Sequence, residues 1–419
     1  MEPSVASKKF PDASHYVDLP TISDSFDQDP VTPLLSLAEQ QAIVRGRNGV
    51  FEGIEVPNNF LLPDSDQDVF MVLDYDGVRQ LAKKSDVFSS EAAYSETMIK
   101  TVGRTMFTMD DPEHARYKRM VQPAFSHNKI MTEIQHFART KIEACLKEFA
   151  PLGETELISS FTNRFPWQII AGLFGVPESI QDACTEASND TFLMGADPVR
   201  ALSAMARLDE MYQIIIDDHR AHPRDDMTSM LIDTVVDDET LSDLEIRLFM
   251  RNIVGAGLDT TSRQMAILVK LLLDHPEQMK MVREDPSLIE QAVWESLRIC
   301  PTGGVFPRVA LEDTELCGMK IPAGSGVYGS LRTPNFDPKY WENPLEFDVT
   351  RPKKPIVSFN VGPHACLGMS LSITEMAIAL ECVLEYLPNL RPVEGQWQFA
   401  EMRGYQFRSP TQLPVAWDL

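Results

Sequence analysis

The stretch SFNVGPHACLGMSLS, residues 358–372, decides how the chain is read. Turn-forming residues fill its first half and an apolar helical pattern begins in its second, so Cys366 stands where a loop opens into a helix. A thiolate in that position is stabilised by free backbone amides and by the helix dipole. Gly362 and Gly368 let the backbone approach a flat ligand closely. Phe359, seven residues before the sulfur, can shield it from water. With His364 included, F-x-x-G-x-H-x-C-x-G is a long and specific signal, against which a buried structural cysteine is the weaker reading.

Outward from this loop the organisation is asymmetric. Residues 1–30 are rich in Pro, Asp and Ser and read as an extended lead-in. PLLSLAEQQAIVRG (33–46) has a helical pattern, whereas FEGIEV and DVFMVLDY read as strands. From about residue 110 to 300 the periodicity is mostly helical. The longest helix starts at a capping-box pair, Ser242 and Glu245, and its pattern runs to Asp274 before His275 and Pro276. At 1.5 Å per residue it extends roughly 48 Å, enough to cross a whole domain. Strand-rich portions are expected near 50–75, 305–330 and 395–419. The fold class is therefore mainly α with a smaller β region (α+β), built as one body over 31–419.

The composition bounds the function. In 419 residues there are 62 acidic and 38 basic side chains, a net charge of −24, which disfavours nucleic acid and anionic membrane as principal partners. Residues of the apolar set make up 43%, enough for a large core. No signal-peptide pattern or membrane span is legible, and a cytoplasmic location is expected. Six scattered cysteines without a CxxC pair favour neither a disulfide framework nor zinc.

The cysteine loop resembles that of the cytochrome P450 family, the haem-thiolate monooxygenases, and most closely suggests its soluble bacterial class. The likeness runs from about residue 30 to the end. It implies haem b held between the long central helix and the cysteine-loop helix, with Cys366 as the axial iron ligand, Phe359 above the sulfur and His364 at a propionate. Asn360 departs from the family's usual glycine, and the left-handed region is where Asn is best tolerated. Within DDPEHARYKR, His114 and Lys118 match the family's propionate-binding pair, with lysine in place of the commoner arginine. Arg308, in GVFPRVA, matches another propionate ligand. The signature E-S-L-R, with Glu295 and Arg298 on one helix face, and Arg351 in FDVTRP match the family's buried structural network.

The middle of the long helix reads IVGAGLDTTS, residues 253–262. Its glycines each cost up to about 1 kcal/mol of helix stability against alanine. Gly255, Ala256 and Gly257 are expected to leave room for a flat cofactor and dioxygen. By resemblance Asp259 is the relay acid and Thr260 the alcohol that deliver protons during oxygen activation. Their joint presence favours O2 over peroxide as the oxidant. It also weighs against an isomerase or dehydratase, and against a non-catalytic haem sensor.

By position in the family, the substrate pocket draws on Met98, Val102, Met106, Phe192, Leu193, Asn252, Gly255, Ala256, Val305, Phe306, Gln406 and Phe407. That wall is mainly apolar, which implies a hydrophobic organic substrate such as a terpenoid, aromatic, steroid or fatty acyl compound. No flavin or iron-sulfur signature is present, so the resemblance implies electrons from a separate [2Fe-2S] ferredoxin and its NAD(P)H-dependent reductase. Arg116, Lys118, Arg119, Lys353 and Lys354 are candidates for a basic docking patch. A monomer is expected.

Overall fold

A computed structural model describes residues 31–47, 50–55, 68–95, 98–99, 103–126, 128, 130–191, 197–400, 402–403 and 406–419. The expected lead-in, 1–30, lies outside the described residues, as do Val102, Phe192 and Leu193 of the expected pocket. Helices dominate from Glu113 to Ile299, and a further long helix spans Met369–Tyr386. Seven strands form the main sheet in the order Ile54–Glu55, Val50–Phe51, Ile43–Arg47, Val69–Val72, Gly326–Ser330, Val305–Ala310 and Phe88–Ser89. Gly326–Ser330 runs parallel to Val69–Val72, whereas the other pairings are antiparallel.

Alternation along Val305–Ala310 explains how the sheet is filled. Val305 and Val309 face one apolar cluster with Val44, Met71 and Tyr328, while Phe306 and Ala310 face another with Phe70, Val72 and Val327. A third and larger core lies among the helices. The expectation for 33–46 needs one correction. The helix stops at Ala38, and Ile43–Arg47 is a strand, with Ile43 opposite Val72 and Val44 opposite Met71. Two β-branched residues meeting a ready strand outweigh the local helical pattern.

The helix Asp243–Asp274 is the axis of the helical portion. Ser242 accepts from the Glu245 amide at 3.3 Å while the Glu245 carboxylate accepts from the Ser242 amide at 2.7 Å, so the expected capping box is present. Asp243 and Glu245 in the first turn complement its dipole. At its other end the His275 side chain lies 2.8 Å from the Leu271 carbonyl, ahead of Pro276. It packs against Phe165–Leu173, Pro198–Ala221, Ile289–Ile299 and Met369–Tyr386.

Behind these helices a buried ion network fastens the coil that leads to the cysteine loop. Arg298, fully buried, donates to both Glu295 carboxylate oxygens at 2.8 and 2.7 Å. Its remaining N–H groups reach the carbonyls of Asn335, Pro344 and Glu346 at 2.7–3.0 Å. Arg351 also donates to Glu295, at 3.1 Å. Asn335 passes the constraint on, donating to Ser358 Oγ at 2.8 Å and accepting from the Val357 amide at 3.1 Å. Ser358 in turn donates to the Leu297 carbonyl at 2.6 Å. Removing one partner of a buried pair leaves the other charge stranded. Arg298→Ala should therefore cost about 3–5 kcal/mol of stability, measured as a lower denaturant midpoint, whereas a loss below about 1 kcal/mol would remove the network from this role.

Candidate active site

The cysteine loop is shaped by its own backbone bonds. The Cys366 amide donates to the Phe359 carbonyl at 2.8 Å, and the Ala365 amide to Gly362 at 3.1 Å. Asn360 adopts φ +57°, in the left-handed region, and its side chain accepts from the Val361 amide at 2.8 Å. Asparagine thus meets the requirement its position imposes. Gly362 is required twice over: its φ is +76°, and an added Cβ would lie 2.8 Å from the Ala82 carbonyl. It seats the loop closely on the neighbouring helix. Gly368 is different, since an added Cβ would meet only the Cys366 sulfur, at 4.0 Å. Phe359 packs against the helical core.

Cys366 is accessible, yet burial pushes its thiol above the ordinary range. The two observations agree if the sulfur lines a recess inside the body. The Gly368 amide and Lys118 oppose that rise without cancelling it. A second opening lies on the helix Asp243–Asp274. Ile253, Val254 and Leu258 are buried, but Gly255 and Ala256 between them are accessible. A Cβ added at Gly255 would meet nothing within 4 Å, while one at Gly257 would press on Ile170 Cδ1 at 3.0 Å. Gly255 thus serves the opening, and Gly257 serves helix packing.

Beside the loop, four basic side chains come together. The His114 and His364 rings stack at 4.1 Å. Lys118 donates to the Pro363 carbonyl, and Ser90 Oγ lies 3.2 Å from His364 Nε2. Arg308 is 3% exposed and its one hydrogen bond goes to the adjacent Pro307 carbonyl, at 2.7 Å. Burial, then Arg308, His114 and Lys118, push His364 down to about 2. Among the described residues neither Arg308 nor Lys118 forms a salt bridge with a carboxylate. His114 has Asp111 at 3.3 Å, but a buried cation without a carboxylate partner is costly, so Arg308 fits an anionic group that the chain does not itself supply. The acid groups of a haem would match that demand.

On the long helix Thr260 Oγ1 donates to the Ala256 carbonyl at 2.6 Å. Asp259 receives Arg263 Nε on both oxygens at 2.8 Å. Arg263 escaped the sequence reading, although its spacing from Asp259 was legible as an i,i+4 pair. Glu375 was also missed: the buried acid of a largely apolar helix, its oxygen 3.5 Å from Thr261 Oγ1. Burial drives Glu375 well above the usual carboxylate range, and its second oxygen has no partner.

The expected pocket residues divide. Gly255, Ala256 and the half-buried Asn252 share the middle of the long helix, and Met106 packs against the helical core. Met98 and Val305 lie in one sheet core, and Phe306 fills the other, where a Cβ on Gly329 would be 2.3 Å from its ring. Gln406 is engaged by the backbone of Val305, accepting at 3.2 Å and donating at 3.0 Å, so it ties the terminal segment to the sheet. Phe407 bridges to Gly303. The candidate docking cations are largely engaged as well. Arg116 pairs with Glu239 and Glu245, Arg119 with Asp237, and Lys353 with Glu290, while Lys354 donates to the Tyr340 carbonyl.

Comparison with known proteins decides the family. A family model described as Cytochrome P450 matches residues 189–396. Mycinamicin IV hydroxylase/epoxidase of Micromonospora griseorubida is 30% identical over 89% of this chain and 95% of its own length. The chain belongs to the cytochrome P450 family. The biotin biosynthesis cytochrome P450 of Bacillus subtilis is 30% identical over 75% of this chain and 80% of its own. Among solved structures, the LnmA cytochrome P450 hydroxylase of the leinamycin pathway of Streptomyces atroolivaceus matches with a TM-score of 0.80 and 30% identity, covering 94% of this chain and 98% of that one. The arrangement of helices and sheet is thus the cytochrome P450 fold of bacterial haem-thiolate monooxygenases, enzymes acting on hydrophobic substrates with O2. Among the described residues no helix is long and apolar enough to cross a membrane.

The uncompensated cation gives a test with opposed signs. Arg308→Met should raise the unfolding midpoint of the haem-free protein and weaken haem uptake by about tenfold or more, the loss of a charge-assisted hydrogen bond. Titration of apoprotein with haem and thermal unfolding read the two effects; a fall in both would make Arg308 a purely structural residue.

Proposed function

We propose that this cytochrome P450 binds haem b with the Cys366 thiolate as axial ligand and oxidises a hydrophobic organic compound, with electrons from a [2Fe-2S] ferredoxin and its NAD(P)H-dependent reductase. The observation that carries the reading is an accessible Cys366 beside a basic cluster whose buried Arg308 forms no salt bridge with a carboxylate among the described residues. His114, Lys118, His364 and Arg308 would hold the propionates. The bound haem supplies oxygen activation and C–H oxidation, and the chain supplies position, proton delivery and exclusion of water.

Each residue then has a task. Gly255 and Ala256 leave the space above the cofactor face free of side chains. Asp259 takes protons from water and passes them towards Thr260, whose hydroxyl is already aimed by its bond to Ala256. Phe359 shields the sulfur side. The mainly apolar residues expected at the pocket support a terpenoid, aromatic, steroid or fatty acyl substrate, and relatives are named for organic compounds of varied kinds, mycinamicin IV and pentalenic acid among them. The enzyme acts as a cytoplasmic monomer. Because Arg116 and Arg119 are held by acids of the 235–240 hairpin, ferredoxin docking rests on surface fit together with a compensated charge pattern.

Ligation is read by the reduced, CO-bound spectrum, which should show the strongly red-shifted Soret band of a thiolate-ligated haem and lose it in Cys366→Ser. An unchanged band in that variant would exclude Cys366. Proton delivery is read separately: Asp259→Asn should lower kcat by about 10²-fold or more with substrate affinity, followed by the substrate-induced Soret shift, nearly unchanged. Turnover equal to the parent would end the assignment of Asp259.

A further inference from the structure

The Arg263 guanidinium joins two parts of the molecule that are distant in sequence. On one side its Nε holds both Asp259 oxygens at 2.8 Å. On the other, Nη1 donates to Ser409 Oγ at 3.1 Å and to the Phe407 carbonyl at 3.4 Å, and the Phe407 ring centroid lies 5.9 Å from the guanidinium carbon. The terminal segment is itself fastened to the sheet. The Gly304 amide donates to Gln406 and the Arg408 amide to Thr302, both at 2.9 Å, and Met402–Arg403 pairs with Ser409–Pro410. Asp259 is therefore held through a cation whose second hand rests on the segment that carries Phe407.

The strength of that hold decides what it can do. Asp259 and Arg263 side chains retain 27% and 31% exposure. Ion pairs at such sites bias an equilibrium by about fivefold or less, so a modest displacement suffices to break or remake this one. A ligand that touches Phe407 acts on the Arg263 anchor itself, because the accepting carbonyl belongs to that residue. We propose that Arg263 is a positioning residue that couples occupation of the pocket at Phe407 to the freedom of Asp259 to deliver protons. The proposal rests on Asp259 as the relay acid. With the pocket empty, Arg263 keeps Asp259 turned to the segment and reductant is conserved; a substrate seated against Phe407 loosens the anchor and releases the carboxylate. Only O–H bonds are made and broken in the step that Arg263 governs, with water as the proton source.

Coupling of this kind is reciprocal, which supplies a readout other than activity. In the holoenzyme, Asp259→Asn should speed hydrogen exchange of the Phe407, Arg408 and Ser409 amides about threefold or more, and should have no such effect in an Arg263→Gln background. Arg263→Gln should also raise substrate-free reductant consumption severalfold and tighten the substrate-induced Soret titration by about fivefold or less, and Arg263→Lys should restore part of the restraint. The CO-bound spectrum reports whether each variant is intact, and Arg263→Lys carries the test if Arg263→Gln is damaged. Exchange at 407–409 that ignores Asp259, or substrate-free consumption equal to the parent in both Arg263 variants, would overturn the coupling. If Asp259→Asn alone turns over like the parent, the relay reading fails instead; a slow Asp259→Asn beside parent-like Arg263 variants leaves the relay and removes Arg263 from it.

Discussion

Two long helices must pack closely and yet part at one place. Protein interiors close around any gap that side chains can fill, so an opening in the middle of Asp243–Asp274 persists only where side chains are withheld. Ile253 and Val254 before it and Leu258, Thr261 and Ser262 after it are buried in the ordinary way. Gly255 and Ala256 break that run and leave the helix face accessible. Gly257, the next residue along, answers a different demand, the approach of Ile170. A helix that loses stability to glycine here is held by contacts with four other helices along its length.

The other side of the opening is fixed from behind. Cys366 sits on a loop whose left-handed residues, Asn360 and Gly362, set its path. That loop is tied through Ser358 and Asn335 to Arg298, whose donors reach Glu295 and three backbone carbonyls. The chain from Arg298 to Cys366 is thus continuous in hydrogen bonds and packing, which explains why an ion network remote from the chemistry belongs to the same architecture. The interior cluster of His114, Lys118, His364 and Arg308 then stands out in a chain of net charge −24. Outside it Arg116 and Arg119 are paired with the hairpin acids, and within it His114 has Asp111, whereas Arg308 and Lys118 form no salt bridge among the described residues and fit an anion from outside the chain.

What the sequence made legible follows from where each signal resides. The capping box at Ser242, the turn-to-helix change at Cys366, the Glu295–Arg298 spacing and the tolerance of Asn at position 360 are local features, and the structure has them at the residues expected. The strand at Ile43–Arg47 was hidden because its partner, Val69–Val72, is supplied by another part of the chain. Gly257 and Gly362 were read from their local motifs, and the close approach of Ile170 and Ala82, supplied by distant helices, was not legible there. Phe306 and Gln406 are expected at a pocket by position, and their contacts with the sheet, in the core for Phe306 and on the Val305 backbone for Gln406, were not legible. In each case a pattern within one element was readable and the choice of tertiary partner was not.

Two carboxylate–guanidinium pairs make the same point about energetics. Glu295 with Arg298 and Asp259 with Arg263 are each spaced to meet on one helix face, and each has bonds near 2.8 Å. Sequence alone gives them equal standing. Burial separates them. Arg298 is wholly enclosed with its donors taken, so opening that pair would strand charges in a low-dielectric interior and it stays closed. Asp259 and Arg263 keep about a third of their surface in contact with water, so their pair can open at little cost. The anchors of Arg263, Phe407 and Ser409, stand 144 and 146 residues further along the chain. An ion pair that is weak, exposed and tethered to a distant segment is suited to respond to that segment, as a strong and buried one is suited to resist it.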